Sequence, residues 1–163
     1  MKRIERLCST GLLLACLATG MAHAQERGFG NPQDVKQPVE VTADNLSVDQ
    51  ATGKAVFSGN VLVGQGTMRL AADTVAVQYG GADARRITGL VATGHVTLAA
   101  GSDAAEAAQA NYDVASGNVV LTGNVLLTQG QNVMAGERVV VNLSTGTANI
   151  SGRVRSVLQP GGQ

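Results

Sequence analysis

The sequence predicts an all-β protein in which a sheet of many short strands folds over on itself, or in which two sheets pack face to face. The chain repeats itself: residues 51–79 align without a gap with residues 115–143, and twelve of the paired positions are identical. Within each copy, apolar and polar residues alternate with the period of a strand, and glycines interrupt the alternation. Repetition at a fixed spacing is typical of structures that stack one supersecondary unit. Because each unit has one apolar face, two such faces must meet to exclude water.

The first half of the domain is predicted to consist of short strands separated by turn residues. The alternating segments are, in order, 39–43, 46–48, 55–57, 61–63, 68–70 and 75–79. Turns are predicted between them at 50–54, at Gly59-Asn60 and at 64–66, where glycine and asparagine tolerate the backbone angles that turns need. Valine and leucine supply most of the apolar positions, and valine fits a pleated surface well.

A diverged copy and the second full copy follow. Gly94-His95-Val96 stands where the other units have Gly-Asn-Val, so we interpret His95 as a turn residue. Segment 102–110 is ambiguous, because its acidic residues and alanines could begin a helix. The repeat instead aligns this segment with a strand, and we predict a strand there. Residues 145–154 restate the unit once more.

The N-terminus is predicted to be a secretory signal peptide. Residues 1–24 carry a basic start, a short apolar stretch and the small-residue signal Ala22-His23-Ala24, which predicts export and cleavage after Ala24. Processing at Cys16, in a lipoprotein-like box, is the alternative, and it would tether the protein to a membrane. The sequence then divides into a polar, flexible leader at 25–38, one domain at 39–158 and a loose tail at 159–163.

Composition argues against several functional classes. The whole chain has a formal net charge of zero, and removal of the signal leaves it close to neutral, whereas nucleic-acid binders usually carry a basic excess. Both cysteines and one of the two histidines lie in the predicted signal, so neither a disulfide framework nor a zinc site is expected. No cofactor is expected, because the glycines lie in turns and form no phosphate-binding pattern before a helix.

Few side chains are candidates for polar chemistry. His95 stands alone, and the repeat-equivalent acids Asp44, Asp73 and Glu137 are interpreted as caps at strand starts. Arg85 and Arg86 form the only adjacent basic pair of the domain, and they are candidates for contact with an anionic headgroup because guanidinium groups pair well with phosphate.

The apolar face is the strongest functional candidate. Its valines, leucines and alanines could pack into a dry core. Alternatively, the two faces stay apart and leave a groove for aliphatic chains, with each buried methylene contributing about 0.8 kcal/mol.

Several elements, in this order, resemble the LptA/OstA-type family of periplasmic lipopolysaccharide transport proteins. They are Ala43-Asp44, Thr52-Gly53, Gly59-Asn60-Val61, Ala72-Asp73 with Val75 and Tyr79, and Gly94-His95-Val96. The resemblance covers about 39–157. It implies an antiparallel β-jellyroll that is open at both ends, lipopolysaccharide whose acyl chains slide through the interior, and a periplasmic location.

The same resemblance implies partners. Domains of this kind join head to tail, edge strand on edge strand, both to copies of themselves and to LptC-like inner-membrane and LptD-like outer-membrane domains. The cleavable signal argues against an LptC-like protein, which keeps its N-terminal anchor, and no barrel sequence follows the domain as it would in LptD. The assembly edges are expected near 39–43 and 148–157.

Carried onto this chain, the resemblance places alternating residues in a lipid-binding interior. These residues are Val41, Leu46, Val48, Phe57, Val61, Val63, Leu70, Val75, Val77, Leu98, Tyr112, Leu121, Val125, Leu127, Val139, Val141 and Ile150. A slip of one residue in any strand would exchange the two faces there.

Three hypotheses for function follow. The first is a non-enzymatic lipopolysaccharide carrier that bridges the two membranes. The second is a structural β-solenoid scaffold or filament protein with a closed, dry core. The third is a polysaccharide-processing β-helix enzyme, for which the polar face offers too few clustered carboxylates and bases.

Overall fold

The computed structural model describes residues 29, 35–49, 54–80 and 86–159, and these residues form ten strands. The strands are β1 (Glu40–Thr42), β2 (Asn45–Asp49), β3 (Lys54–Gln65), β4 (Met68–Gly80), β5 (Arg86–Ala100), β6 (Asp103–Asp113), β7 (Asn118–Gln129), β8 (Asn132–Asn142), β9 (Thr147–Ser151) and β10 (Arg155–Val157). Segment 102–110, which could have been a helix, lies almost entirely in β6, so the strand prediction is confirmed there. No helix in the described ranges is long and apolar enough to cross a membrane.

All the strands belong to one antiparallel sheet, and chain neighbours pair from β3 to β8. At one end, β1 and β2 both pair with β3; at the other end, β9 and β10 both pair with β8. The sheet does not close, because no pairing joins these two ends within the described residues. The all-β prediction and the single folded-over sheet are therefore confirmed.

The long strands bend at a common line, which we call the corner. At Gly59-Asn60 the register of β3 on β4 shifts, so that these two residues oppose Asp73 alone. The same shift recurs at Gly94-His95 and at Gly123-Asn124. In each pair the glycine and the residue after it both have positive φ. Such bulges bend a strand without ending it.

Bending explains why the strands are longer than the sequence predicts. Gly59-Asn60 was expected to separate two short strands, yet β3 runs through it for 12 residues, and β5 runs through its own corner for 15. The alternation of side chains is interrupted at the bulge while the backbone pairing resumes on the other side. Each long strand thus contributes to both halves of the folded sheet.

The core lies between the two halves. Cross-strand neighbours share a face of a sheet, so the register stacks inner side chains into rows that run from one edge to the other. One row of the first half is Leu46, Phe57, Val75, Ala92, Ala110, Leu121, Val139 and Ile150. One row of the second half is Val41, Val63, Leu70, Leu98, Ala105, Leu127 and Met134.

Candidate functional site

The apolar interior is the candidate site, and its walls are the two inner faces. The predicted residues fall into three groups by exposure. Buried are Val61, Val63, Leu70, Val75, Val77, Leu98, Tyr112, Leu121, Val125, Leu127, Val139 and Val141; partly buried are Val41, Phe57 and Ile150; exposed are Leu46 and Val48. Alanines fill many of the remaining inner positions, so the space between the walls is lined by short aliphatic groups.

Leu46 and Val48 were predicted to lie in the interior, but the structure leaves both side chains exposed. They are 55% and 59% exposed, although the register places them on the inner face beside Phe57 and Ala55. The reason is their place in the sheet: β2 is an edge strand, and the row of inner side chains ends there. Alternation identified the face correctly, but it carries no information on whether another strand continues the wall.

The interior contains a buried polar group that the sequence analysis did not single out. The Gln65 side chain is 4% exposed and donates two hydrogen bonds, to the carbonyl oxygens of Val35 at 2.8 Å and Gln37 at 2.9 Å. Its Oε1 accepts a hydrogen bond from the Tyr112 hydroxyl, which comes from the opposite half of the sheet. Burial raises the pKa of Tyr112, the hydrogen bond to Gln65 partly opposes this, and the Asp113 carboxylate adds to the rise.

Asp103 is a second polar residue inside the rim. It is 8% exposed, and its carboxylate accepts hydrogen bonds from Ser102 and Gln129, each at 3.2 Å. Among the described buried side chains, no nitrogen or oxygen is left without a partner. The interior is therefore apolar except at one rim, where Gln65, Asp103 and Gln129 lie in the same cross-strand row and Gln65 meets the Tyr112 hydroxyl.

The burial of Phe29 was not predicted from the sequence. This residue lies in the predicted leader, yet it is 1% exposed and belongs to the core, and Val35 packs against the same core. A phenylalanine is conspicuous in a chain with only two, but the surrounding residues have no strand periodicity that would assign it to a wall.

The corner carries polar pairs on the outside of the fold. Asn60 donates to Asp44 at 2.8 Å, His95 Nδ1 lies 2.8 Å from Asp73 Oδ2, and Arg153 donates to Glu137 at 3.1 Å. Asp73 and Glu137 were expected at strand starts, but they lie at the bends inside β4 and β8, opposite the bulges.

These pairs do not form a catalytic centre. The His95 side chain is 91% exposed and that of Asp73 is 61% exposed, and His95 adopts the positive φ that a turn position implies. No group of three potential metal ligands is present among the described residues.

A shallow polar depression of about 330 Å³ on the outer face is a weaker candidate site. It surrounds Gly89 and is lined by Gln78, Asn111, Asp113 and Asn118 among others. Two of its polar side chains are already engaged: Asp113 accepts a hydrogen bond from the Ser116 amide, which lowers the Asp113 pKa, and Asn118 accepts one from the Asn142 side chain. The apolar interior remains the better candidate.

Comparison with known families identifies the family to which the chain belongs. Residues 40–147 match the family described as LptA/(LptD N-terminal domain) LPS transport protein. The chain belongs to this family. The resemblance inferred from sequence is thereby confirmed, as is the expectation of a transport protein rather than an enzyme.

Individual relatives of the LptA family agree with the match. The chain is 33% identical over 174 residues to the uncharacterized protein R00383 of Rhizobium meliloti (strain 1021), covering 97% of this chain and 92% of that protein. It is 32% identical over 128 residues to the lipopolysaccharide export system protein LptA of Escherichia coli (strain K12), covering 76% of this chain and 69% of the relative.

The fold also matches a solved structure. The crystal structure of LptH, the LptA-homologous periplasmic component of the lipopolysaccharide transport device of Pseudomonas aeruginosa, superposes with a TM-score of 0.70 at 24% identity. The match covers 79% of this chain and all of that one. The β-jellyroll expectation is thus confirmed. The LptA-family chain is a component of lipopolysaccharide transport, and its LptH relative is periplasmic.

Two remaining predictions concern charge and the termini. Arg86 is exposed at the start of β5, opposite Gly80, whereas Arg85 lies outside the described residues, so the pair itself is not seen. The predicted signal peptide at 1–24 also lies outside them. Of the predicted tail, Gln159 is described, and its amide donates to Asn132 at 3.0 Å.

Proposed function

We propose that this protein carries lipopolysaccharide across the periplasm by holding acyl chains between the two inner faces of its folded sheet. The observation that supports this most directly is the chemistry of those faces, where aliphatic rows run from β2 to β9 and from β1 to β8 with polar groups at one rim only. Acyl chains gain free energy from burial in such surroundings and need no hydrogen bonds there. The anionic headgroup would stay outside, where Arg86 is a candidate contact and Arg85 its sequence neighbour.

Assembly into a bridge is the second part of the proposal. Exposed apolar side chains lie at both ends of the sheet: Leu46 and Val48 on β2, and Val154, Val157 and Leu158 around β10. Strand addition at an edge satisfies backbone groups and would cover these side chains. Joining unlike edges extends both inner faces into the next molecule. The partners would be further copies of this chain and LptC-like and LptD-like domains at the two membranes. Export by a signal cleaved after Ala24 would place the protein between those membranes.

Photo-crosslinking in cells tests the carrier role. A photoreactive residue is placed at Val61 or Val125, each 1% exposed, and in matched variants at the next residue, Leu62 or Leu126, which is exposed. Lipopolysaccharide adducts are expected from the inner positions only. Adducts at neither pair, in protein that is folded and exported, would contradict the carrier function.

The closed core supports a second candidate, a structural scaffold or filament protein. Val63, Leu98 and Leu127 have no exposed surface, so the two halves are packed on one another along much of the interior. A scaffold with this core would carry no lipid. Organic extraction of the protein purified from cells, followed by mass spectrometry, distinguishes the two candidates. Only a carrier should yield the hydroxy fatty acids of bound lipopolysaccharide.

A further inference from the structure

Among the N-terminal residues, Phe29 lies in the core and 35–37 lie at the rim opposite the corner, and we call these residues the N-terminal latch. Phe29 is the largest side chain among the fully buried residues, and it is inserted in the core although it belongs to no strand. Val35 packs against the core from the rim. The sheet builds the walls of the core, and the latch adds to that core side chains that belong to no strand.

The latch contacts both halves. On one side, the carbonyl oxygens of Val35 and Gln37 accept the two hydrogen bonds from Gln65, at the end of β3. On the other side, Val35 Cγ1 lies 3.0 Å from the position that a Cβ on Gly117 would take, in the turn between β6 and β7. Residue 35 thus joins the rim that follows β3 to the rim that precedes β7.

Gln65 ties the latch to the closure of the interior. Its amide nitrogen holds the latch, while its Oε1 accepts from Tyr112, across the space between the halves. The side chains of Gln65 and Tyr112 are buried, and separation of the halves would leave their hydrogen-bonding groups without partners unless water enters. Opening the interior and releasing the latch are therefore coupled through one side chain.

We propose that the N-terminal latch holds the empty protein closed and that Phe29 occupies the place of a lipid acyl chain, which must displace it to enter. This inference rests on the proposed carrier function and adds a competition between a segment of the chain and its cargo. The Phe29 ring packs against the same apolar side chains that an alkyl chain would contact. An occupant that must leave before the ligand binds lowers the apparent affinity by the fraction of molecules in which it is displaced.

A reversible crosslink tests whether the latch must move. The exported chain with Val35→Cys and Gly117→Cys is prepared, and no other cysteine is present when the protein begins at Gln25. Binding of fluorescently labelled lipopolysaccharide is followed by anisotropy before and after reduction. We expect the oxidised form to bind at least about tenfold more weakly than the same sample after reduction. The two single-cysteine variants are the controls, because Gly117→Cys alone already places a side chain at a left-handed position. Their affinity for lipopolysaccharide should not change on reduction.

Removal of the occupant is the complementary measurement. Phe29→Ala should bind the labelled lipopolysaccharide more tightly than the unsubstituted protein, by about tenfold. Leu126→Ala, which shortens an exposed side chain on the outer face, should bind as the unsubstituted protein does.

The outcomes separate the two proposals. Equal binding by the oxidised and reduced double variant, with the disulfide verified by mass spectrometry, would overturn the latch and leave the carrier function intact. Failure of the disulfide to form, or weaker binding by Phe29→Ala, would likewise contradict the latch. Absence of binding by the unsubstituted protein would instead refute the carrier function on which the latch depends.

Discussion

At the scale of single residues, the corner is the most informative feature, because a glycine followed by a left-handed residue marks it in β3, β5 and β7 and again after β9. Each corner glycine has a φ between 78° and 85°, and the residue after it is also left-handed. A neighbouring residue packs directly over the glycine: Asp44 over Gly59, Asp73 over Gly94, Ala108 over Gly123 and Glu137 over Gly152. Glycine is needed twice over, for its backbone angle and for its missing side chain.

Gly123 and Gly130 allow the need for a left-handed backbone angle to be separated from the need for a missing side chain. A Cβ on Gly123 would lie 2.7 Å from the Ala108 Cβ, whereas Gly130 is also left-handed but has nothing within 4 Å. Gly130→Ala should lower the free energy of unfolding by about 1 kcal/mol, for the backbone angle alone. Gly123→Ala should lower it by about 1–3 kcal/mol more, because the added methyl group overpacks the corner.

Urea denaturation measures both glycine variants, and a double variant provides the control. In the background of Gly123→Ala, the substitution Ala108→Gly removes the colliding atom and should restore part of the lost stability, whereas alone it should only destabilise β6. Additive losses in the double variant would show that Ala108 does not crowd Gly123.

At the scale of strands, the alternating pattern predicted which side chains face inward, and on both sides of each corner the register groups these side chains into cross-strand rows. The strand ends were harder to predict. Gly-Asn is a common turn signal between strands, and only the pairing partners reveal that here it is a bulge inside a continuous strand. The exposure of Leu46 was likewise beyond the local sequence, because it depends on which strand lies at the edge.

Strand β7 offers a matched pair that tests the inner face. Leu121 has no exposed surface and stacks between Ala110 and Val139, whereas Leu126, five residues later, faces outward and is 37% exposed. Leu121→Ala should lower the free energy of unfolding by about 2–5 kcal/mol, since it leaves a cavity between the walls. Leu126→Ala should cost less than about 1 kcal/mol. Equal losses in urea denaturation would contradict the assignment of faces.

At the scale of the whole molecule, the fold class and family could be predicted because the same alternating, glycine-interrupted unit recurs along the chain. A wrong assignment in one unit is therefore corrected by the others. The position of Phe29 could not, because it depends on one contact between a segment without periodicity and a completed sheet. The same distinction applies to the proposed assembly: the assembly edges near 39–43 and 148–157 stay predictions, whereas the structure shows which apolar side chains are exposed at the two ends of the sheet.

The two edges differ in charge as well as in strand identity. Glu40 and Asp44 lie at the edge formed by β1 and β2, whereas Arg155 lies at the edge formed by β9 and β10, where Arg153 is already paired with Glu137. In the proposed assembly, joining unlike edges would bring Arg155 of one molecule toward the carboxylates of the next, whereas joining like edges would bring like charges together. The charges therefore support the proposed head-to-tail joint over a symmetric pair, for which the same edge would have to meet itself.

A pair of edge variants distinguishes these arrangements. Leu46→Lys buries a charge if the β2 edge is joined, and Val157→Lys does the same at the β10 edge; Leu62→Lys, on the outer face of β3, is the control. If growth is head to tail, sedimentation velocity should show that each edge variant alone is monomeric at concentrations where the control variant still associates. An equimolar mixture of the two edge variants should form dimers and nothing larger, because each contributes one intact edge. A Val157→Lys protein that dimerises by itself would instead indicate a symmetric joint through the β2 edge, and such a joint ends after two molecules rather than extending the interior from one membrane toward the other.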